Sequence, residues 1–171
     1  ALALSLVPVA AIEVALTTER AVDPVQARLA ARLSGGQIAA AFTCVDDPAF
    51  MQQRTARFEA IVDLMEKGRV ARLAYAEKLA SGFSRNRDEV YATLTGWIDI
   101  WRDVLLVRTG NTALVAGIDR LEHLHTLAPR FEPAEIARLL LALRQARRDL
   151  EGNVSPRLAL DALMLRMPAP V

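Results

Sequence analysis

A single cysteine, Cys44, is all the chain contains, which excludes an intrachain disulfide and any zinc site built on cysteines. That fits a reducing compartment and gives the expectation of a cytoplasmic protein. An excess of one charge sign is missing as well. Twenty-one Lys and Arg stand against twenty Asp and Glu. The balance is also local, with ten basic and nine acidic residues in 1–85 and eleven of each in 86–171. A protein whose main task is to grip phosphate carries a basic stripe or a lopsided half, and this one has neither. No uninterrupted apolar run approaches the roughly 20 residues of a membrane span, so no membrane partner is expected. The first sixteen residues, Ala1 to Leu16, are rather apolar, but they lack a basic leading region and are interrupted by Pro8 and Glu13. A signal peptide is therefore not expected, and the opening Ala reads as the start of a piece of a longer protein. Alternating strand patterns are almost absent.

What is present is helix. Over half of the residues are apolar, 53%, which argues against disorder. Apolar residues recur at three- and four-residue spacing nearly everywhere. Pro8 opens a first short helix in which Ile12, Ala15 and Leu16 share a face. Asp23-Pro24 is a start signal, N-cap followed by proline, and Gly35-Gly36 ends that helix after Leu33. A third helix follows over about 37–43. Asp47-Pro48 opens a long helix toward Lys67, broken at Gly68, and a further helix covers about 70–80 before Ser81-Gly82. Residues 88–108 form the most apolar helix, ended by Gly110. Helices over 114–127 and 133–150 follow, and Ser155-Pro156 caps a last one that stops before Pro168. The expected architecture is all-α, with a three-helix lobe over 1–44 and a bundle of five or six helices over 45–171.

Two of these helices are greasier than an amphipathic stripe requires. Leu94, Trp97, Ile98, Ile100, Trp101, Val104, Leu105, Leu106 and Val107 crowd one. Leu158, Leu160, Leu163, Met164, Leu165 and Met167 cover more than half of the other. A helix that is apolar nearly all round is buried on several sides, either by its neighbours in the bundle or by another subunit. Candidate subunit-interface residues are accordingly Trp97, Trp101, Leu105, Arg157, Leu158, Leu160 and Leu165.

No constellation of catalytic chemistry stands out. His123 and His125 are two apart on a helix and cannot chelate one metal, and Asp119 is positioned only to pair with His123. Asp47 of Asp46-Asp47 is explained as an N-cap. Asp99 and Asp103 flank Arg102 and suit salt bridging rather than a di-metal site. Ser34-Gly35-Gly36 lacks the lysine and preceding strand of a phosphate loop. Trp97 and Trp101 could form a stacking platform for single-stranded nucleic acid, but their apolar neighbours favour packing. Arg144, Arg147 and Arg148 make the best basic patch, with Asp149 and Glu151 beside it. No catalytic residue, cofactor site or metal site is expected.

Several segments, in order, resemble a known family. The stretch Asn153-Val154-Ser155-Pro156-Arg157-Leu158-Ala159-Leu160-Asp161-Ala162-Leu163-Met164-Leu165-Arg166-Met167-Pro168 is similar to the closing signature of bacterial DNA polymerase III clamp-loader subunits of the delta-prime kind. Trp101-Arg102-Asp103-Val104-Leu105-Leu106 resembles that family's Arg-Asp-Leu-Leu segment, and Ile118-Asp119-Arg120 its short Asp-Arg element. Leu29 to Phe42, centred on Ser34-Gly35-Gly36, is similar to the lid helices of AAA+ proteins.

The resemblance implies that residues 1–44 are an AAA+ helical lid and residues 45–171 a collar domain, with the nucleotide-binding core upstream of Ala1. It implies a non-catalytic assembly module that holds its subunit in the pentameric ring loading the sliding clamp during DNA replication. Its partners would be gamma/tau and delta subunits, with the clamp and primer-template DNA met only through the whole complex. Ala40 falls about where AAA+ lids often carry a nucleotide-facing arginine, which suits a non-hydrolysing member. The alternatives are a gamma/tau-type collar, an unrelated helical adaptor domain and, least of all, a small helical enzyme.

Overall fold

A computed structural model describes residues 6–168; positions 1–5 and 169–171, and so the ends of both expected units, lie outside the described residues. The chain is all-α. Among the described residues there are nine α-helices and no strand. They are α1 (Val9–Arg20), α2 (Pro24–Leu33), α3 (Ile38–Asp46), α4 (Pro48–Glu66), α5 (Arg69–Phe83), α6 (Arg87–Arg108), α7 (Leu121–Leu127), α8 (Pro133–Glu151) and α9 (Pro156–Leu165).

Local chemistry accounts for most of the boundaries. The Asp23 carboxylate accepts from the N–H groups of Val25 and Gln26 at 2.9 and 3.2 Å, just ahead of Pro24. The Asp47 carboxylate accepts from Ala49 N–H at 2.9 Å, just ahead of Pro48. Asn86 caps α6, and Glu132 with Glu135 forms a reciprocal capping box on α8. Gly35 and Gly36 take φ of 58° and 88°, the left-handed region that glycine enters without a Cβ penalty. Serine caps less than its sequence suggests at the last helix. Ser155 makes no side-chain cap bond, and Pro156 opens α9 through its fixed φ alone.

Two expectations fail for tertiary reasons. The helix expected over 114–127 is interrupted: Thr112–Leu114 and Ile118–Arg120 form 3₁₀ turns, and only α7 is α-helical. The Asp103 carboxylate on α6 accepts from Ala116 and Gly117 N–H at 3.2 and 2.8 Å, taking donors that a continuous helix would need. Helix α5, expected to stop before Ser81-Gly82, runs on to Phe83. There Phe83 is buried edge-on against Tyr91 of α6, ring centroids 5.8 Å apart. Burying an aromatic ring outweighs the roughly 1 kcal/mol cost of a helical glycine.

Two separate apolar clusters result. In the smaller one, Ile12 and Leu16 of α1 pack on Ala27, Ala30 and Ala31 of α2 and Ala41 of α3. The larger one is centred on α6, which packs against α4, α5, α7 and α8, while α9 lies against α5 and α8. A helix surrounded on that many sides needs apolar residues on most of its circumference.

Candidate functional site

The seven candidate interface residues divide sharply. Trp97, Trp101 and Leu160 are buried inside the chain's own large cluster, at 0–1% exposure, and offer no surface to a neighbour. The Trp97 indole N–H donates to the Arg57 carbonyl at 3.0 Å, and its ring lies 5.8 Å from Tyr75. Trp101 meets Phe131 edge-on at 5.1 Å. The neighbouring helices of the bundle thus cover the apolar surface that these residues give to α6 and α9. Leu105 is half-buried at the edge of the same cluster.

The other three remain outside. Leu158 and Leu165 of α9 are 66% and 57% exposed, and with exposed Ala162 they occupy positions i, i+4 and i+7 on one ridge. Arg157, at one flank of that ridge, is held by Asp161 at 2.7 Å and by Glu77 of α5 at 3.2 Å. The opposite face of α9 carries Ala159, Leu160, Leu163 and Met164 and is buried against α5 and α8.

Beyond Arg166 on the α8 side, a groove of about 590 Å³ runs between α8 and the segment following α9. Leu141, Ala142 and Pro168 provide its apolar part, and Arg138, Arg148 and Arg166 its charge. Leu141 is 61% exposed. The buried guanidinium of Arg72, on α5, sets the position of the tail wall. It donates to the carbonyls of Met167 and Pro168 at 2.8 and 2.9 Å, and to those of Leu64 and Met65 at 2.8 and 3.0 Å.

The segments Arg102-Asp103 and Ile118-Asp119-Arg120, far apart in sequence, meet in one polar cluster on α4. Asp119 pairs with both terminal nitrogens of Arg54. Arg120 donates to the Arg54 carbonyl at 3.2 Å and to the Thr55 hydroxyl at 2.7 Å, with its guanidinium 4.7 Å from the centre of the Phe58 ring. Burial beside Arg54 lowers the affinity of Arg120 for its proton. A Cβ on Gly117 would lie 2.8 Å from an Arg54 nitrogen and 3.2 Å from an Asp103 oxygen, so this close approach requires glycine. The three-helix unit joins here too, since Arg32 of α2 donates to the carbonyls of Ala113 and Val115 at 3.0 and 2.8 Å. Asp103, Arg120 and Arg32 hold backbone groups here, and Arg54 and Asp119 are paired with each other, so the charges of this cluster have structural partners.

The remaining candidates also have structural partners. Ser34 donates to the Ala31 carbonyl at 2.7 Å, and Gly36 accepts from Val7 N–H at 2.8 Å. Asp46 pairs with Arg20, and Arg147 with Glu151. His123 sits edge-on to Phe58 at 6.1 Å. Burial pushes the Cys44 thiol up, with Arg54 acting in the opposite direction, which leaves little thiolate to act as a nucleophile. Among the described residues no group of three or more His, Cys, Asp or Glu could hold a metal ion, and no helix is long and apolar enough to cross a membrane.

Sequence reasoning missed Arg72, Arg138, Leu141 and Arg166. Leu141 alone left a trace, as a leucine off the face of α8 that carries Ile136, Leu139, Leu140 and Leu143. Comparison with family models, with curated proteins and with solved structures found no match to this chain.

Proposed function

We propose that the chain is a non-catalytic assembly module, the AAA+ lid and collar of a cytoplasmic bacterial clamp-loader subunit of the delta-prime kind. In this role it holds its subunit in the pentameric ring that loads the sliding clamp during DNA replication. The observation that carries this reading is the outward ridge Leu158-Ala162-Leu165 on α9. Its helix already commits its other face to the bundle, so the ridge is apolar surface in excess of what the fold consumes. A helix buried on one face and apolar on the other is built to be covered from both sides. The ridge also falls within the segment that resembles the closing signature of these subunits. The clustering of Asp103 with Asp119 and Arg120 adds support, because it gives two further family-like segments one shared purpose, shaping the loop on which the first three helices rest.

Size-exclusion chromatography with light scattering tests the reading, on the chain alone and mixed with gamma/tau and delta clamp-loader subunits. A stable mixed complex that Leu158→Glu or Leu165→Glu abolishes is the expected result. A chain that stays monomeric and ignores both partners would sink the assignment and leave a self-contained helical adaptor.

A further inference from the structure

The groove beside α8 combines two features that the ridge of α9 lacks: concavity and unspent charge. Glu135 is the one carboxylate in its wall, and its Oε2 already accepts from Glu132 N–H at 3.0 Å to cap α8. Arg148 donates to the Gln145 side chain at 2.9 Å, and neither Arg138 nor Arg166 forms an ion pair among the described residues. The groove therefore carries an excess of positive charge over an exposed leucine and a proline. From Arg138 to Arg148 it follows α8 for about 15 Å, at roughly 1.5 Å per residue.

We propose that this groove docks an acidic, leucine-bearing segment of a partner protein. Its carboxylates meet Arg138, Arg148 and Arg166, and its apolar side chain lies on Leu141 and Pro168. Arginine is suited to this because its planar fork binds a carboxylate through two parallel hydrogen bonds. The apolar floor excludes water from those pairs and strengthens them. A nucleic-acid strand fits less well. Its phosphates have no use for the Leu141 floor. The inference does not depend on the clamp-loader assignment, because the groove is separate from the α9 ridge and is tested without any clamp-loader subunit.

The test is fluorescence anisotropy of a labelled synthetic peptide of roughly twelve residues, enough to span the groove, in which glutamate and leucine recur at helical spacing. It is titrated with the whole chain. Saturable binding is expected. It should weaken about tenfold or more in Arg138→Glu and again in Arg166→Glu, with melting temperatures unchanged because both residues are exposed. The same peptide with lysine in place of glutamate is expected not to bind. Three results would overturn the proposal: no binding of the acidic peptide, binding indifferent to both reversals, or displacement by a single-stranded oligonucleotide that binds more tightly.

Discussion

Arg72 donates four hydrogen bonds to main-chain carbonyls and, among the described residues, pairs with no carboxylate. Two of those carbonyls close the last turn of α4, where the helix dipole places partial negative charge, and two belong to the chain segment after α9. Cutting the side chain back in Arg72→Ala strands all four acceptors at once, and burial makes that costly. Urea unfolding is expected to show a loss of about 3 kcal/mol or more. Arg72→Lys keeps the charge without the planar fork and should recover only part of it. Asp103 works in the reverse sense, an acceptor serving two backbone donors. Asp103→Asn keeps the shape but loses the charge that strengthens both bonds, and about 2 kcal/mol is expected to go with it in thermal melts. The same melts should show little change in helical content, because the affected stretch, Val115 to Gly117, lies between 3₁₀ turns.

Helix α9 has two faces with opposite sensitivities. Leu160 is buried and Leu165 is 57% exposed, five residues away on the same ten-residue helix. Leu160→Ala is expected to cost about 2–5 kcal/mol through lost burial and a residual cavity. Leu165→Glu should stay within about 0.5 kcal/mol of the parent. If chemical denaturation gave similar losses for both, the ridge would be core and not surface. How far these elements could be read in advance depends on the range of the forces that set them. Asp23-Pro24, Asp47-Pro48 and the paired glycines at 35 and 36 act within a few residues, and the helices they bound are legible from sequence. The break before α7 is not, because a carboxylate thirteen residues earlier takes the Ala116 donor and the next one along. The excess apolar surface of α6 was visible, but its use was not. Whether Trp97 and Trp101 face a partner or the chain itself depends on how many helices surround α6. The groove could not be read at all, since the segment after α9 is set beside α8 by tertiary contacts, among them the packing of α9 on α8 and the Arg72 hydrogen bonds to Met167 and Pro168.

At the scale of the molecule, the two clusters differ in substance as well as size. The cluster of α1, α2 and α3 is built on Ile12, Leu16 and four alanines, whereas the bundle buries two tryptophans, Phe131 and many leucines. Apolar area sets the stabilisation, at about 25 cal/mol per Å², so the first three helices should open well before the bundle does. Native-state hydrogen exchange in low denaturant is expected to show amides of α1–α3 exchanging through a sub-global opening, and those of α6 and α8 only on global unfolding. Arg32→Ala removes the hydrogen bonds that tie α2 to the loop at Ala113 and Val115, and should ease the first opening by about 1 kcal/mol without touching the second.

Between the two clusters the chain turns through one residue. Helix α3 ends at Asp46 and α4 begins at Pro48, and Asp47 between them lies at φ −98°, ψ 106°. Proline forbids the helical alternative to the residue before it, so a single ring keeps 28 helical residues, 9 plus 19, from joining into one rod about 40 Å long. Straightened there, two copies could trade their first three helices, each set resting on the other molecule through contacts identical to those it has now. The exchange would conserve nearly every interaction and alter only ownership. Pro48→Ala removes the obstacle, and a reciprocal dimer, separable from monomer by size-exclusion chromatography and slow to revert, is the expected product. Pro48 thus decides whether the first three helices stay with their own bundle.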